Sequence, residues 1–173
     1  CNNVLYTLEL CHCSVEFLDA AKEFVKKSDL IYDGWSIKED KIDVHKSYIR
    51  KDTFIQCDED NNNVLLKVEY VIFYNLSYGV PSFSFNLWTS SGTLLSLEDV
   101  RKMSFIQINQ KDFYSVITQQ EHPIFQRPYF IVHPCHTETL LATFRKKSRN
   151  IIVTFLGLIT PLIRLNMPYE YGL

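Results

Sequence analysis

The sequence predicts an α+β fold, an antiparallel sheet packed with helices from the two ends of the chain. Three observations carry this expectation. An apolar period of helical spacing occupies 14–27, runs rich in β-branched and aromatic residues alternate with turn residues through the middle, and an apolar stretch fills 151–165. With 173 residues, a single domain over 1–173 is expected, and 46% apolar content is enough to offset the ordering entropy of a globular core.

In chain order, Val15, Phe17, Leu18, Ala21, Phe24 and Val25 recur at helical spacing, with Ser14 a natural N-cap before Glu16. After Asp33-Gly34 come three short runs that read as strands: Trp35 to Lys38, Ile42 to Ile49 and Thr53 to Cys57. Asp58 to Asn63 closes them as a loop. Val64 to Tyr74 is a stronger strand, ended by the turn chemistry of Asn75 to Pro81. Ser82 to Thr89 alternates Phe83, Phe85 and Leu87 with polar or aromatic neighbours and should pair antiparallel with it. Ser96 is placed to cap a short helix over Leu97 to Met103, because Asp99 follows at capping-box distance. Asp112 to Pro128 fits neither period and reads as an ordered loop. Tyr129 to Val132 suits a buried strand, and Pro134 ends its pairing because it has no N–H to donate. Thr139 to Lys146 reads as a helix, as does Asn150 to Leu165, which Pro161 should kink or break.

Composition narrows the function classes. A formal charge of −2 gives no basic field for a nucleic-acid backbone, so nucleic acid is not the expected partner. Five cysteines at irregular spacing argue against a secreted disulfide framework and for a reducing, cytoplasmic setting. The stretch 151–165 contains Pro161 and Arg164 and falls short of the roughly 20 residues a membrane span needs. No signal peptide is visible, and the chain opens at Cys1 with no Met. Cys11-His12-Cys13 suggests a metal, yet a Cys-x-Cys lacks the usual two-residue gap and no second clean pair exists, so neither metal nor cofactor is expected.

The residues best placed for chemistry are Val132-His133-Pro134-Cys135-His136-Thr137. Cys135 follows a strand end, with imidazoles beside it and a helix start behind it, which is what a nucleophilic thiol needs. The same features fit a small core cysteine, and local chemistry leaves both readings open. His133 lies two residues before Cys135 and so shares a strand face with it; it either supplies a donor to a developing oxyanion or fixes the turn through a backbone bond. His136 reads as a surface residue of the helix start, and His122 as a pin for its own loop.

His133-Pro134-Cys135, Ile117 to Ile124, Glu69-Tyr70 through Tyr78-Gly79-Val80-Pro81, and Leu165 to Tyr169 together resemble the E2-like conjugating enzymes of autophagy, in colinear order from about Val64 to Tyr171. The resemblance implies an E2-like, UBC-related sheet. It also implies that Cys135 accepts the ubiquitin-like protein Atg-twelve from an E1 of the Atg-seven type as a thioester, and passes it to a lysine of Atg-five. A strand tyrosine near the nucleophile is part of the same likeness; Tyr74 is its expected position, with Tyr70 one repeat earlier on the same face and a plain core aromatic as the default for either. The weakly basic face of the helix at 14–27, carrying Lys22, Lys26 and Lys27, favours a protein substrate over a lipid and no membrane insertion. Two rivals remain: a Cys-His hydrolase, which requires an orienting Asn or Asp, and an E2-like scaffold without chemistry.

Overall fold

The computed structural model describes residues 2–59, 62–144 and 147–173; side chains at 2–12, 58, 59, 62, 63 and 136 lie outside the described set. Six strands form one antiparallel sheet: β1 (Ser36–Lys38), β2 (Tyr48–Glu59), β3 (Asn62–Asn75), β4 (Val80–Trp88), β5 (Ile117–Glu121) and β6 (Pro128–Val132), ordered β1-β2-β3-β4-β6-β5. The helices are α1 (Asn2–Leu30), α2 (Leu97–Lys102), α3 (Phe113–Val116), α4 (Cys135–Phe144) and α5 (Ile151–Ile159). The α+β expectation holds, with an antiparallel sheet and helices from both ends of the chain.

The pleat divides the sheet into two faces. Along β3, Tyr70, Ile72 and Tyr74 point to the main core with Phe83 and Phe85 of β4, Phe17 and Phe24 of α1, and Phe155 and Ile159 of α5. Burying each such side chain is worth roughly 1.5–3 kcal/mol, so these interleaved rows set the register. Val71 and Phe73, on the other face, pack with Tyr129 and Ile131 of β6 beneath Ile124 and Phe125 of the β5–β6 loop. Asn150 ties the helical layer together. Its Oδ1 accepts from Ile152 N–H (2.9 Å) and Val153 N–H (3.4 Å) as the cap of α5, while its Nδ2 donates to the Ala20 carbonyl of α1 at 2.8 Å.

Several boundaries differ from expectation, each for a local reason. Helix α1 begins at Asn2, so Ser14 is interior and buried, and its Oγ bonds His45 Nδ1 at 2.8 Å rather than capping a helix. The run 42–49 is not one strand: Asp43 accepts from His45 N–H and holds a 3-10 turn over Val44–Lys46 before β2 starts. That strand continues without a break through 53–57 and pairs Glu59 with Asn62, so the expected 58–63 loop is mostly ladder. The capping box of Ser96 and Asp99 is formed as expected. The region 112–128 holds α3 and β5 rather than loop alone; Thr118, Gln119, Gln120 and Glu121 pair with β6 through their backbone while presenting polar side chains at a sheet edge. Helix α5 stops at Ile159, just ahead of Pro161. No helix among the described residues is long and apolar enough to cross a membrane.

Candidate functional site

Strand β6 delivers the candidate nucleophile. Ser84 pairs with Ile131, so two residues on, Ser82 is level with His133 and, across β4, with Phe73. The last backbone tie of this segment is His133 N–H to the Val116 carbonyl at 2.8 Å. Pro134 then cannot donate, the pairing ends, and the chain turns straight into α4 with Cys135 as its first residue. The Pro134 carbonyl accepts from the N–H groups of Thr137 and Glu138 (both 2.9 Å) and from Thr137 Oγ1 (3.1 Å), locking that turn. Cys135 is exposed and is not in a disulfide.

His133 Nδ1 lies 2.7 Å from Cys135 Sγ and 3.3 Å from Cys135 N. A backbone N–H can only donate, so Nδ1 faces this turn with its lone pair and the thiol S–H is the second donor to it. The imidazole thus stands ready to take the proton that a thiol must lose to become a nucleophile. The backbone bond that fixes the turn is present, and the same ring atom touches the sulfur. No carboxylate or amide side chain is hydrogen-bonded to His133 among the described residues.

Of the two tyrosines singled out from the sequence, Tyr70 is a core aromatic between Trp35 and Phe83, and burial pushes its phenol pKa up. Tyr74 is also buried, its ring 5.8 Å from that of Phe17. The tyrosine in ring contact with His133 is Tyr78, which meets it edge to face at 5.7 Å and 79°. Sequence reasoning missed it by placing Tyr78 in a turn. The turn is built to present it: Asn75 Oδ1 accepts from the N–H groups of Ser77 and Tyr78, and Gly79, at φ 65°, donates its N–H to the Asn75 carbonyl at 2.8 Å. The Tyr-Gly-Val-Pro segment was the signal. A residue four beyond the last core-facing position of β3, just before a left-handed glycine, is set to fold back over the neighbouring strand end.

His122 stands apart from the thiol's contacts. It is fully buried, its ring packs on Phe73, Phe125 and Tyr129, and its Nδ1 accepts from Ile124 N–H at 3.1 Å. Burial, with Arg127 nearby, pushes its pKa down from 6.5 to about 4. A base with a depressed folded-state pKa stays neutral in the native state while the unfolded chain takes up a proton below pH 6.5. Its stabilising share is therefore complete above 6.5 and is lost as pH falls from there toward 4. About 2 kcal/mol of unfolding free energy should disappear between about pH 8 and about pH 5. Urea titrations across that range check this, and His122→Asn, which keeps an acceptor for Ile124, should show a flatter profile than the parent.

Of the Cys11-His12-Cys13 triplet on α1, only Cys13 has a described side chain. It is half-buried and lines a cleft of about 520 Å³ between α1, the β3–β4 turn, α4 and the start of α5. No group of His, Cys, Asp and Glu side chains able to hold a metal occurs among the described residues.

Residues 16–170 match the family model of the autophagocytosis associated protein, active-site domain. Three relatives share the name ubiquitin-like-conjugating enzyme ATG10. The Homo sapiens protein is 33% identical over 121 residues, covering 62% of this chain and 53% of the relative. Those of Arabidopsis thaliana and Dictyostelium discoideum are 27% and 26% identical, each covering 59% of this chain and 51% and 52% of the relatives. The chain spans about half the length of the curated relatives it matches. With the family model running from α1 to the C-terminal turn and the His-Pro-Cys segment at the exposed end of β6, the chain belongs to the autophagocytosis-associated proteins that carry this active-site domain.

Proposed function

We propose that this chain is an E2-like conjugating enzyme of autophagy. In this reading Cys135 receives Atg-twelve from an E1 of the Atg-seven type, holds its C-terminal glycine as a thioester and transfers it to a lysine of Atg-five. The work takes place in the cytoplasm and residues 1–173 act as one catalytic domain. The observation that carries the proposal is the exposed Sγ of Cys135 at the first residue of α4, 2.7 Å from His133 Nδ1. In the loading step the thiol proton passes to His133 Nδ1, Sγ attacks the carbonyl carbon of the E1 thioester, and the E1 sulfur leaves as thiolate. In the transfer step a lysine amine attacks the new thioester and Sγ is the leaving group. Both steps place negative charge on a carbonyl oxygen beside the start of α4, where the positive end of the helix dipole favours it. In this reading Tyr78 braces the His133 ring, and Tyr74, which lines the same cleft as Tyr78 and packs on Phe17, is a supporting residue.

The test is to incubate the chain with the autophagy E1, Atg-twelve and ATP and to resolve the products without reductant. An adduct that needs E1 and ATP and is destroyed by thiols is expected, together with a conjugate to Atg-five when that protein is added. If no adduct forms while E1 itself becomes loaded, the proposal fails. A Cys-His hydrolase would instead turn over an ester without E1 or ATP. A scaffold would do neither.

A further inference from the structure

We infer that the free edge of β5 seats the C-terminal tail of the ubiquitin-like protein, which adds to the sheet as an antiparallel strand running toward Cys135. The inference rests on the conjugating function proposed above and adds to it the surface that holds the incoming chain.

Strand β5 ends the sheet: it pairs with β6, and no strand among the described residues lies on its other side. Its backbone groups divide by register. The N–H of His133 reaches the Val116 carbonyl and that of His122 the Arg127 carbonyl, and alternate residues of an antiparallel strand bond the same neighbour. Thr118 and Gln120 therefore bond β6, whereas Ile117, Gln119 and Glu121 turn their backbone groups outward. Pro128, opposite Glu121, fits this phase, because the register asks no N–H of it toward β5. The Ile117 N–H is taken by the Phe113 carbonyl, which leaves an outward carbonyl there and an outward donor and acceptor at each of Gln119 and Glu121. Residues 119–121 are exposed, and no lysine or proline guards β5.

Polarity and position decide what fits this edge. Strand β6 runs toward Cys135 and β5 runs away from it, so a chain antiparallel to β5 travels with β6 and brings its C-terminus to the thiol end. A parallel chain would deliver its terminus to the β5–β6 loop, roughly 17 Å along the strand from there. Of the three proteins in the proposed reaction, only Atg-twelve brings a chain terminus to the sulfur; E1 presents a cysteine and Atg-five a lysine side chain. Neighbouring strands lie about 4.8 Å apart, so the added chain lies about 10 Å from β6, and about three extended residues span that gap past Val116 to Sγ. The residues before those three pair along the edge. Main-chain pairing of this kind holds the terminal carbonyl beside the start of α4 without demanding particular side chains.

Proline substitution isolates the edge, since a proline whose N–H side faces solvent is tolerated in an edge strand. Gln119→Pro removes one outward donor and leaves the ladder to β6 intact, while Gln119→Ala removes the side chain and keeps the donor. Single-turnover transfer of Atg-twelve from preloaded E1 is expected to be about tenfold slower in Gln119→Pro and within about twofold of the parent in Gln119→Ala. Alkylation of Cys135 by iodoacetamide, which needs no tail, should proceed at the parental rate in Gln119→Pro. Hydrogen exchange in the parent reads the edge directly: a peptide covering Gln119 and Glu121 should exchange about tenfold or more slowly once Atg-twelve is loaded, and at its free rate with Atg-five alone. Loading of Gln119→Pro at the parental rate overturns the inference. Protection by Atg-five alone overturns it too, because the edge would then belong to the acceptor. If Gln119→Pro alkylates slowly, its thiol site is damaged and the exchange measurement decides. A parent that never loads refutes the conjugating function and this inference with it, whereas a parent that loads with its edge unprotected refutes this inference alone.

Discussion

Cys135→Ala should form no adduct with Atg-twelve, a loss of roughly a thousandfold or more that takes loading below detection. Residual activity from the rest of the site is not expected to be visible, because conjugation requires a covalent carrier and no binding interaction substitutes for the missing sulfur. Cys135→Ser makes the sharper test. Serine keeps a nucleophilic atom near His133 Nδ1, so slow loading should give an oxyester that survives thiol treatment and passes poorly to Atg-five, because an alkoxide leaves less readily than a thiolate. Both variants should unfold at the parental denaturant concentration, since Cys135 is exposed and contributes little to packing. Gel mobility with and without reductant, run beside a urea titration, checks both halves. An unchanged thiol-sensitive adduct in Cys135→Ala would mean that another cysteine carries the chemistry.

What the sequence revealed about this site and what it hid have physical causes. Cys135 and His133 were legible because proline stops strand pairing wherever it falls, so a strand, a proline and a polar cluster can be read without knowing the fold. Strands β3 and β4 were legible because one face of each is filled with aromatic and branched side chains. Strand β5 was hidden: it pairs only with β6, its residues 119–121 are exposed, and apart from the buried Ile117 it is held by backbone bonds. Tyr78 was hidden for another reason. Its contact with His133 joins residues far apart in sequence, and it exists only because β6 pairs with β4 in one register. Ser14 shows the opposite error, a plausible cap whose hydroxyl is taken by His45, a partner no local pattern reveals.

Glu69→Ala should cost about 3 kcal/mol of unfolding free energy, among the largest effects of any single substitution outside the aromatic core. The Glu69 side chain is 4% exposed on the face of β3 away from the helices. It accepts from the hydroxyl of Tyr129 and pairs with Arg50 at 2.7 Å and Arg127 at 3.4 Å, while Arg127 also donates to the Tyr129 oxygen at 2.7 Å. Three residues, from β2, the β5–β6 loop and β6, thus share the Glu69 carboxylate of β3. The arginines are 34% and 52% exposed and will be rehydrated when the carboxylate is removed, so the main loss comes from Tyr129, which is fully buried. Its hydroxyl would then keep only the arginine contact. If that reasoning holds, Glu69→Leu combined with Tyr129→Phe should be more stable than Glu69→Leu alone, because the second change removes the stranded hydroxyl. Simple additivity of the two losses in urea titrations would refute it. The consequence reaches the thiol: Tyr129 and Glu69 tie β6 to β3 across β4, a contact that helps hold β6, and with it His133, in place against Tyr78. Glu69→Ala should accordingly slow thioester formation even at temperatures where the protein remains folded, and the double variant should recover stability ahead of activity.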